Sequence, residues 1–150
     1  GSIFGENCEF GSQCDFGESC EFGWDCKFGE KCKFGKNCWF GPDCEFQSAT
    51  FGNGCEMMGP KLNGKAKFGR NLTLVVPDGT IEAEFDGNVT FKLSGVFDPV
   101  FRNCRFGGDV KLAEVICGPK PAIFEGGRVD GILSIEPEFD PQMSRSPLNA

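Results

Sequence analysis

Seven consecutive hexads of the form F-G-x-x-C-x open the sequence, between Phe4 and Glu45. The cysteines of these hexads recur every six residues without exception, at Cys8, Cys14, Cys20, Cys26, Cys32, Cys38 and Cys44. A short fixed period indicates that one small structural unit is stacked on itself, and hexapeptide periods are typical of β-helical solenoids. The repeat therefore predicts the architecture more directly than it predicts the function.

Each hexad has the pattern of one strand followed by one corner. Cys-x-Phe alternates with the two-residue period of a β-strand, so that Cys and Phe face the same side. Glycine after Phe, and polar pairs such as Glu6-Asn7 and Ser12-Gln13, supply the bend. Three such sides close a triangular coil of roughly 18 residues, with parallel strands about 4.8 Å apart and with Phe and Cys inside. The predicted fold class is all-β, a single-stranded parallel β-helix, or β-solenoid, with an irregular C-terminal half.

The outward residue between Cys and Phe tests this coil length independently. A period of roughly 18 residues superposes Glu9, Lys27 and Glu45, and separately places Asp15 on Lys33. Opposite charges on neighbouring strands stabilise a sheet, whereas like charges would destabilise it. The charge pattern therefore favours the triangular coil.

The Phe-Gly pair, with a small Cys two residues before Phe, resembles the repeat of the hexapeptide-repeat superfamily. That motif has an aliphatic residue, usually followed by Gly, and a small inward residue two places before it; here Phe takes the aliphatic place from Phe4 to Phe46. The resemblance implies a left-handed coil in a divergent, non-catalytic member. The Cys-x-Phe alternation also resembles pentapeptide-repeat proteins, which form four-sided right-handed coils, but their five-residue step does not fit the hexads.

The sequence divides into three predicted parts. Steps of six between large apolar residues persist beyond the hexads, so the solenoid is expected to span residues 3–116, regular over 4–46 and irregular over 47–116. Proline and glycine punctuate residues 117–136, which are predicted to form a C-terminal cap. The proline-containing polar segment 137–150 is predicted to be a flexible tail.

The absence of histidine removes the commonest catalytic base near neutral pH. Solenoid acyltransferases and carbonic anhydrases of the hexapeptide-repeat kind both depend on histidine, so their chemistry does not carry over. We therefore predict no enzymatic activity, no cofactor and no metal.

The repeat cysteines are expected to be buried, reduced thiols, since a reactive thiol needs an electropositive, partly exposed setting. A reactive Cys104, beside Arg102 and Arg105, and a metal or disulfide within the column of Cys8, Cys26 and Cys44 are weaker alternatives.

Charge and hydropathy restrict the partners. The formal net charge of −7 argues against direct binding of nucleic acid or of an anionic membrane, because both need a basic face. No apolar run approaches the roughly 20 residues of a membrane-spanning helix. The predicted localisation is cytoplasmic, or the host cytoplasm for a viral protein.

A protein partner is the leading expectation. Two tryptophans occupy places that the repeat directs outward, and four lysines lie near them in sequence, which predicts a local basic and aromatic surface of the kind that interfaces favour. The candidate partner-binding residues are Trp24, Lys27, Lys31, Lys33, Lys36 and Trp39.

Two other functions remain open. One is an inhibitor that mimics nucleic acid, such as a phage protein that counters host defence, because pentapeptide-repeat proteins include acidic rods that imitate DNA. Its acidic surface would consist of Asp86, Asp98, Asp109, Glu114, Glu125 and Asp130. The other is a structural component of a spike, fibre or polymerising scaffold. The first hexad leaves no room for a cap, so the N-terminal coil is expected to pair with another chain, as in a homo-oligomer, or with a preceding part of a longer protein.

Overall fold

The computed structural model describes residues 1–76, 79–92, 100–115 and 123–137, and within them short strands alternate with corners. These residues contain no helix. In chain order the strands are β1 (Ile3–Phe4), β2 (Glu9–Phe10), β3 (Asp15–Phe16), β4 (Glu21–Phe22), β5 (Lys27–Glu30), β6 (Lys33–Phe34), β7 (Trp39–Phe40), β8 (Glu45–Gln47), β9 (Thr50–Phe51), β10 (Glu56–Met58), β11 (Lys61–Asn63), β12 (Ala66–Phe68), β13 (Leu72–Val75), β14 (Thr80–Ile81), β15 (Ala83–Phe85), β16 (Val89–Lys92), β17 (Val100–Arg102), β18 (Arg105–Phe106), β19 (Val110–Val115), β20 (Ile123–Glu125), β21 (Arg128–Val129) and β22 (Leu133–Pro137).

Every third strand lies on the same side of a three-sided coil. Face A is an eight-stranded parallel sheet that runs from β1 through β4 and β7 to β22. Face C is a seven-stranded sheet that runs from β3 through β6 to β21. Face B contains a four-stranded sheet, from β2 to β11, and then a three-stranded sheet of β14, β17 and β20. The predicted all-β solenoid with parallel strands is confirmed, while its handedness stays a prediction.

The strand register measures the length of each coil. Ile3 pairs with Glu21 and Glu21 with Trp39, so the first coils have the predicted length of roughly 18 residues. Later coils are shorter and then longer, which agrees with the predicted irregularity. Residues 123–137, within and just beyond the segment predicted as a cap, add β20, β21 and β22 to the three faces and so continue the solenoid. Residues 116–122 and 138–150 lie outside the described part of the chain.

Phenylalanine fills the centre of the triangle in two contact geometries. Within a coil, neighbouring rings meet edge to face, as Phe4 and Phe10 do at 5.4 Å and 87°. Between coils, rings stack in parallel, as Phe22 and Phe40 do at 5.0 Å and 3°. The spacing of stacked rings matches the spacing of parallel strands, so both favourable aromatic geometries are met at once. This match explains why the hexads use Phe at the place where the resembling family uses an aliphatic residue.

The corners depend on the residue that precedes each cysteine. Asn7, Gln13 and Asp25 adopt the left-handed backbone region, with φ of 56°, 58° and 54°. This conformation costs a non-glycine residue of order 1–3 kcal/mol unless its surroundings compensate. Here the corner N–H groups donate hydrogen bonds to the next coil, from Asn7 to the Trp24 carbonyl at 2.9 Å and from Gln13 to the Glu30 carbonyl at 2.8 Å. The bends predicted at the polar pairs therefore also join successive coils.

Candidate functional site

The two tryptophans lie outside the solenoid, whereas the repeat phenylalanines point inside. Trp39 occupies the outward place between Cys38 and Phe40 in β7, and 38% of its surface is exposed. Trp24 lies at the corner that follows β4, and 53% of its surface is exposed. Both side chains are therefore accessible, as the repeat predicts.

Met58 adds a third exposed apolar side chain, on the same face as Trp39. Trp39 pairs in register with Glu56 of β10, and Met58 ends that strand with 41% of its surface exposed. Because β4, β7 and β10 are consecutive strands of face A, these residues occupy adjacent coils. We call Trp24, Trp39 and Met58 the tryptophan patch. Sequence reasoning missed Met58, although its place directly after the inward-facing Met57 was the available signal.

The four candidate lysines do not join the tryptophan patch. Lys27 lies on face B and Lys33 lies on face C. Lys31 lies at the corner between these faces, and Lys36 lies at the corner between faces C and A, where its Nζ is 3.5 Å from Glu18 Oε2. Residues near in sequence are sent to different faces because each hexad turns one corner. The structure thus places Trp39 on face A and Trp24 at the corner that follows this face, and it distributes the lysines around the coil.

The predicted columns of opposite charge are confirmed. The pairs in register are Glu9 with Lys27, Lys27 with Glu45, and Asp15 with Lys33. The face B column continues with Lys61, whose Nζ lies 3.4 Å from Glu45 Oε1. These charges lie on the outer surface, so each contact contributes little to stability, but together they keep the faces mixed in sign.

The candidate acidic residues are only partly brought together. Asp86, Asp109 and Asp130 lie at the corner between faces C and A in successive coils. Glu125 lies on face B, where its Oε2 is 3.1 Å from Arg102 Nε. Asp98 lies outside the described residues, as does the side chain of Glu114 in β19. The described members therefore occupy two sides of the solenoid.

Two of these corner aspartates already have structural partners. Asp109 Oδ1 accepts a hydrogen bond from the Ile132 N–H at 2.9 Å, and Asn88 Oδ1 accepts one from the Asp109 N–H at 2.9 Å. Asp130 forms an ion pair with Arg128. The corner is thus a ladder of side-chain to backbone hydrogen bonds between coils.

The cysteines form a second ladder that sequence reasoning did not foresee. Cys26 Sγ lies 3.3 Å from the Gly5 carbonyl oxygen of the preceding coil, and Cys44 Sγ lies 3.3 Å from that of Gly23. A thiol is a weak donor that can replace part of the solvation of a buried carbonyl. All described cysteines are free thiols, and Cys117 lies outside the described residues.

Burial makes these thiols poor nucleophiles. It raises the pKa of Cys44 to about 12 and the pKa of Cys55 to about 11, although backbone hydrogen bonds lower both values in part. Cys104, next to two arginines in sequence, is also buried, and burial raises the pKa of its thiol to about 11. Since the thiolate is the reactive form, Cys104 is unsuited to nucleophilic chemistry at neutral pH.

The described residues offer no group of three or more His, Cys, Asp or Glu side chains arranged to hold a metal ion. In the same part of the chain, no helix has the length and apolar character needed to cross a membrane.

The architecture defines this chain as a three-sided β-solenoid of parallel strands. Comparison with protein-family models, with curated proteins and with solved structures found no match. Membership of the hexapeptide-repeat superfamily stays a prediction.

Proposed function

We propose that this chain is a non-enzymatic binding protein that engages another protein through the tryptophan patch on face A. The observation that carries the proposal is the exposure of Trp24 and Trp39, whereas the phenylalanines whose burial the structure describes point into the core. Tryptophan is enriched among the residues that dominate binding energy, and exposed apolar side chains that cluster on a soluble domain mark interaction sites.

The scaffold favours this role because it holds the patch in fixed geometry. Trp39 lies within β7, between paired strands on both sides, and the corner of Trp24 is joined to the preceding coil through its carbonyl. A preorganised surface loses little conformational entropy on binding. The backbone therefore presents the two ring systems from fixed positions.

The experiment is an affinity capture from host lysate with the wild-type chain and with the Trp24→Ala/Trp39→Ala variant. We expect the wild-type chain to retain a specific protein and the double variant to lose it, with unchanged melting temperature. The matched control is Lys67→Ala/Arg105→Ala on face C, which should retain the protein. Equal capture by the tryptophan variant and the wild type would overturn the proposal.

A structural role in a scaffold or fibre is the second candidate, and the incomplete burial of the first described coil favours it. Phe4, Phe10 and Phe16 of the first coil are only partly buried, unlike their counterparts in the next coil. The mimicry of nucleic acid has less support, because the charge columns alternate in sign and the described acidic candidates occupy two sides. A uniformly negative stripe would be needed for that function.

A further inference from the structure

The outward side chains of the hexads compensate charge between coils on two faces of the solenoid but not on the third. The outward residues of β2, β3 and β4 are all acidic: Glu9, Asp15 and Glu21. One coil later, a lysine lies in register with each of the first two acids, as Lys27 does with Glu9. Trp39 lies in register with the third, Glu21. On face A an indole ring therefore occupies the place where faces B and C have a cation.

The next strand of face A adds a second acid beside this ring. Glu56 of β10 pairs in register with Trp39, on the opposite side from Glu21. Both glutamates are exposed, and neither forms an ion pair with a cation of the described residues. The first lysine farther along this column is Lys111, which lies three strands beyond Glu56. The exposed indole thus lies between two carboxylates that no described cation compensates.

The corner that follows face A repeats this combination of apolar and acidic residues. Asp25 follows Trp24, and Asp43 follows Pro42 in the next coil; both aspartates are exposed. The Asp25 N–H donates a hydrogen bond to the Pro42 carbonyl at 3.0 Å, which joins the two corners. Within the described ranges, neither aspartate forms an ion pair. The tryptophan patch is therefore an apolar surface bordered by carboxylates.

Charge complementarity indicates which side chain this surface accepts. Cations bind over aromatic rings, and most strongly over tryptophan. Adjacent strands are about 4.8 Å apart, so Glu21 and Glu56 start roughly 10 Å apart, with Trp39 between them. A guanidinium group is flat and has N–H donors on both sides, so it can lie over the ring and donate to both carboxylates. The ammonium group of lysine is compact and more strongly hydrated, so arginine matches this arrangement better than lysine.

The charges do not favour a second copy of this chain as the occupant. The formal net charge is −7, so two copies repel each other. Three described arginines already face acids of their own molecule: Arg102 with Glu125, Arg105 with Glu84, and Arg128 with Asp130. The complementary arginine is therefore expected from a different protein.

We propose that the tryptophan patch binds an arginine-bearing segment of its protein partner, with one guanidinium over Trp39 and between Glu21 and Glu56. This inference rests on the proposed function and specifies the chemistry of the partner. A second basic residue of the segment contacts the corner at Trp24. The partner thereby supplies to face A the cation that the repeat itself supplies to faces B and C.

The test is a titration monitored by tryptophan emission under reducing conditions. The chain has two tryptophans and no tyrosine, so the emission reports on the tryptophan patch. The probe is the acetylated and amidated peptide Gly-Arg-Gly-Arg-Gly-Arg-Gly, and one control peptide has citrulline, which is uncharged, in place of each arginine. We expect saturable binding of the arginine peptide that weakens as salt is raised, and at least about tenfold weaker binding of the citrulline peptide. A second control with lysine in place of each arginine should bind with intermediate affinity. Absence of binding by the arginine peptide, or equal binding by either control, would overturn the proposal.

Variants of the protein separate this site from the general charge of the molecule. Glu21→Gln/Glu56→Gln should bind the arginine peptide at least about tenfold more weakly, with an unchanged melting temperature. The matched control on face B, Glu9→Gln/Glu45→Gln, changes the net charge equally and should bind as the wild type does. Equal weakening in both variants would show general electrostatic attraction and would overturn the proposal. Trp39→Thr, measured by calorimetry, should also lose binding; if it binds as tightly as the wild type, the carboxylates act without the ring and the proposal is wrong.

The capture from host lysate distinguishes this inference from the proposed function. We expect Glu21→Gln/Glu56→Gln to lose the protein that the wild type retains. If that variant retains the protein while Trp24→Ala/Trp39→Ala loses it, the proposed function stands and the arginine assignment fails. If the tryptophan variant retains the protein, the proposed function itself fails. A concentration-dependent dimer that Glu21→Gln/Glu56→Gln abolishes in light scattering would make a second copy the occupant and would also overturn the inference.

Discussion

Cysteine has two tasks at the scale of single residues. It is small enough to lie beside the stacked rings, and its thiol donates to a carbonyl of the preceding coil, as Cys44 does to Gly23 at 3.3 Å. Alanine would also be small enough, but it has no group that could donate this hydrogen bond. The choice of cysteine at the repeat position therefore has a hydrogen-bonding reason in addition to a packing reason.

Replacing one buried thiol tests this reason. We expect Cys44→Ala to lower the free energy of unfolding by about 1–2 kcal/mol, because it leaves a small cavity and removes the thiol donor from the partly buried Gly23 carbonyl. Chemical denaturation monitored by circular dichroism measures this change. Cys8→Ala is the matched control, since Cys8 lies in the half-exposed first coil, and it should have a smaller effect. Equal effects at the two positions would contradict the assigned role.

Raised thiol pKa values predict an alkaline loss of stability. In the folded state the pKa of Cys44 is about 12 and the pKa of Cys55 is about 11, and both lie above the ordinary value of 9.0. The folded state therefore keeps protons that the unfolded state loses, so the stabilisation is complete below the unfolded-state pKa and is lost as pH rises towards the folded-state values. We expect the melting temperature under reducing conditions to fall between about pH 9 and pH 11. A Cys44→Ala/Cys55→Ala variant should show a shallower fall, and identical slopes would disprove this explanation.

At the scale of elements, the strands present alternating charges in columns. Lys27 of β5 lies in register between Glu9 of β2 and Glu45 of β8. Changing the sign of the central residue would place three acids in one column. Each contact is exposed, so the effect is modest and depends on salt.

The Lys27→Glu variant measures the contribution of such a column. We expect it to lower the free energy of unfolding by about 0.5–1 kcal/mol at low salt, because like charges directly opposite each other destabilise a sheet. High salt should remove most of the difference. Lys27→Gln is the control that removes attraction without adding repulsion, and it should have a smaller effect. A salt-independent loss would indicate a packing defect instead.

The elements also show what the sequence could predict. The constant six-residue spacing of the hexads predicts the strands, their inward and outward faces and the stacking of Glu9 on Lys27, because each of these features repeats with that spacing. The same step sends Lys27 and Lys33 to different faces, so the basic surface inferred from their nearness in sequence does not form. The thiol ladder and the Asp109 ladder depend on the distance between backbones of adjacent coils, and a linear pattern does not contain that distance.

At the scale of the whole molecule, the first and last described coils are unlike. The first coil is regular, acidic and built with the glycines of an interior coil, whereas the last described coil carries exposed Ile132 and Leu133. In repeat proteins each unit is stabilised mainly by its neighbours, so a unit with one neighbour is the weakest place. The first described coil, whose phenylalanines are only partly buried, should therefore be stabilised by an added neighbour.

Extending the solenoid by one coil tests this expectation in a single chain. The sequence of residues 21–38, placed directly before Ile3 in place of Gly1 and Ser2, would set its lysines over the acidic residues of the first coil in the register already seen for Lys27 over Glu9. We expect the melting temperature to rise. Each additional kcal/mol of stability raises it by about 2–4 °C for a chain of this length, and an added coil should contribute several such increments. The same extension on the Gly5→Ala/Gly11→Ala/Gly17→Ala background should give little or no rise, because each added Cβ would meet the backbone of the new coil. An extension that leaves the wild-type melting temperature unchanged would show that the first coil is not built to receive another.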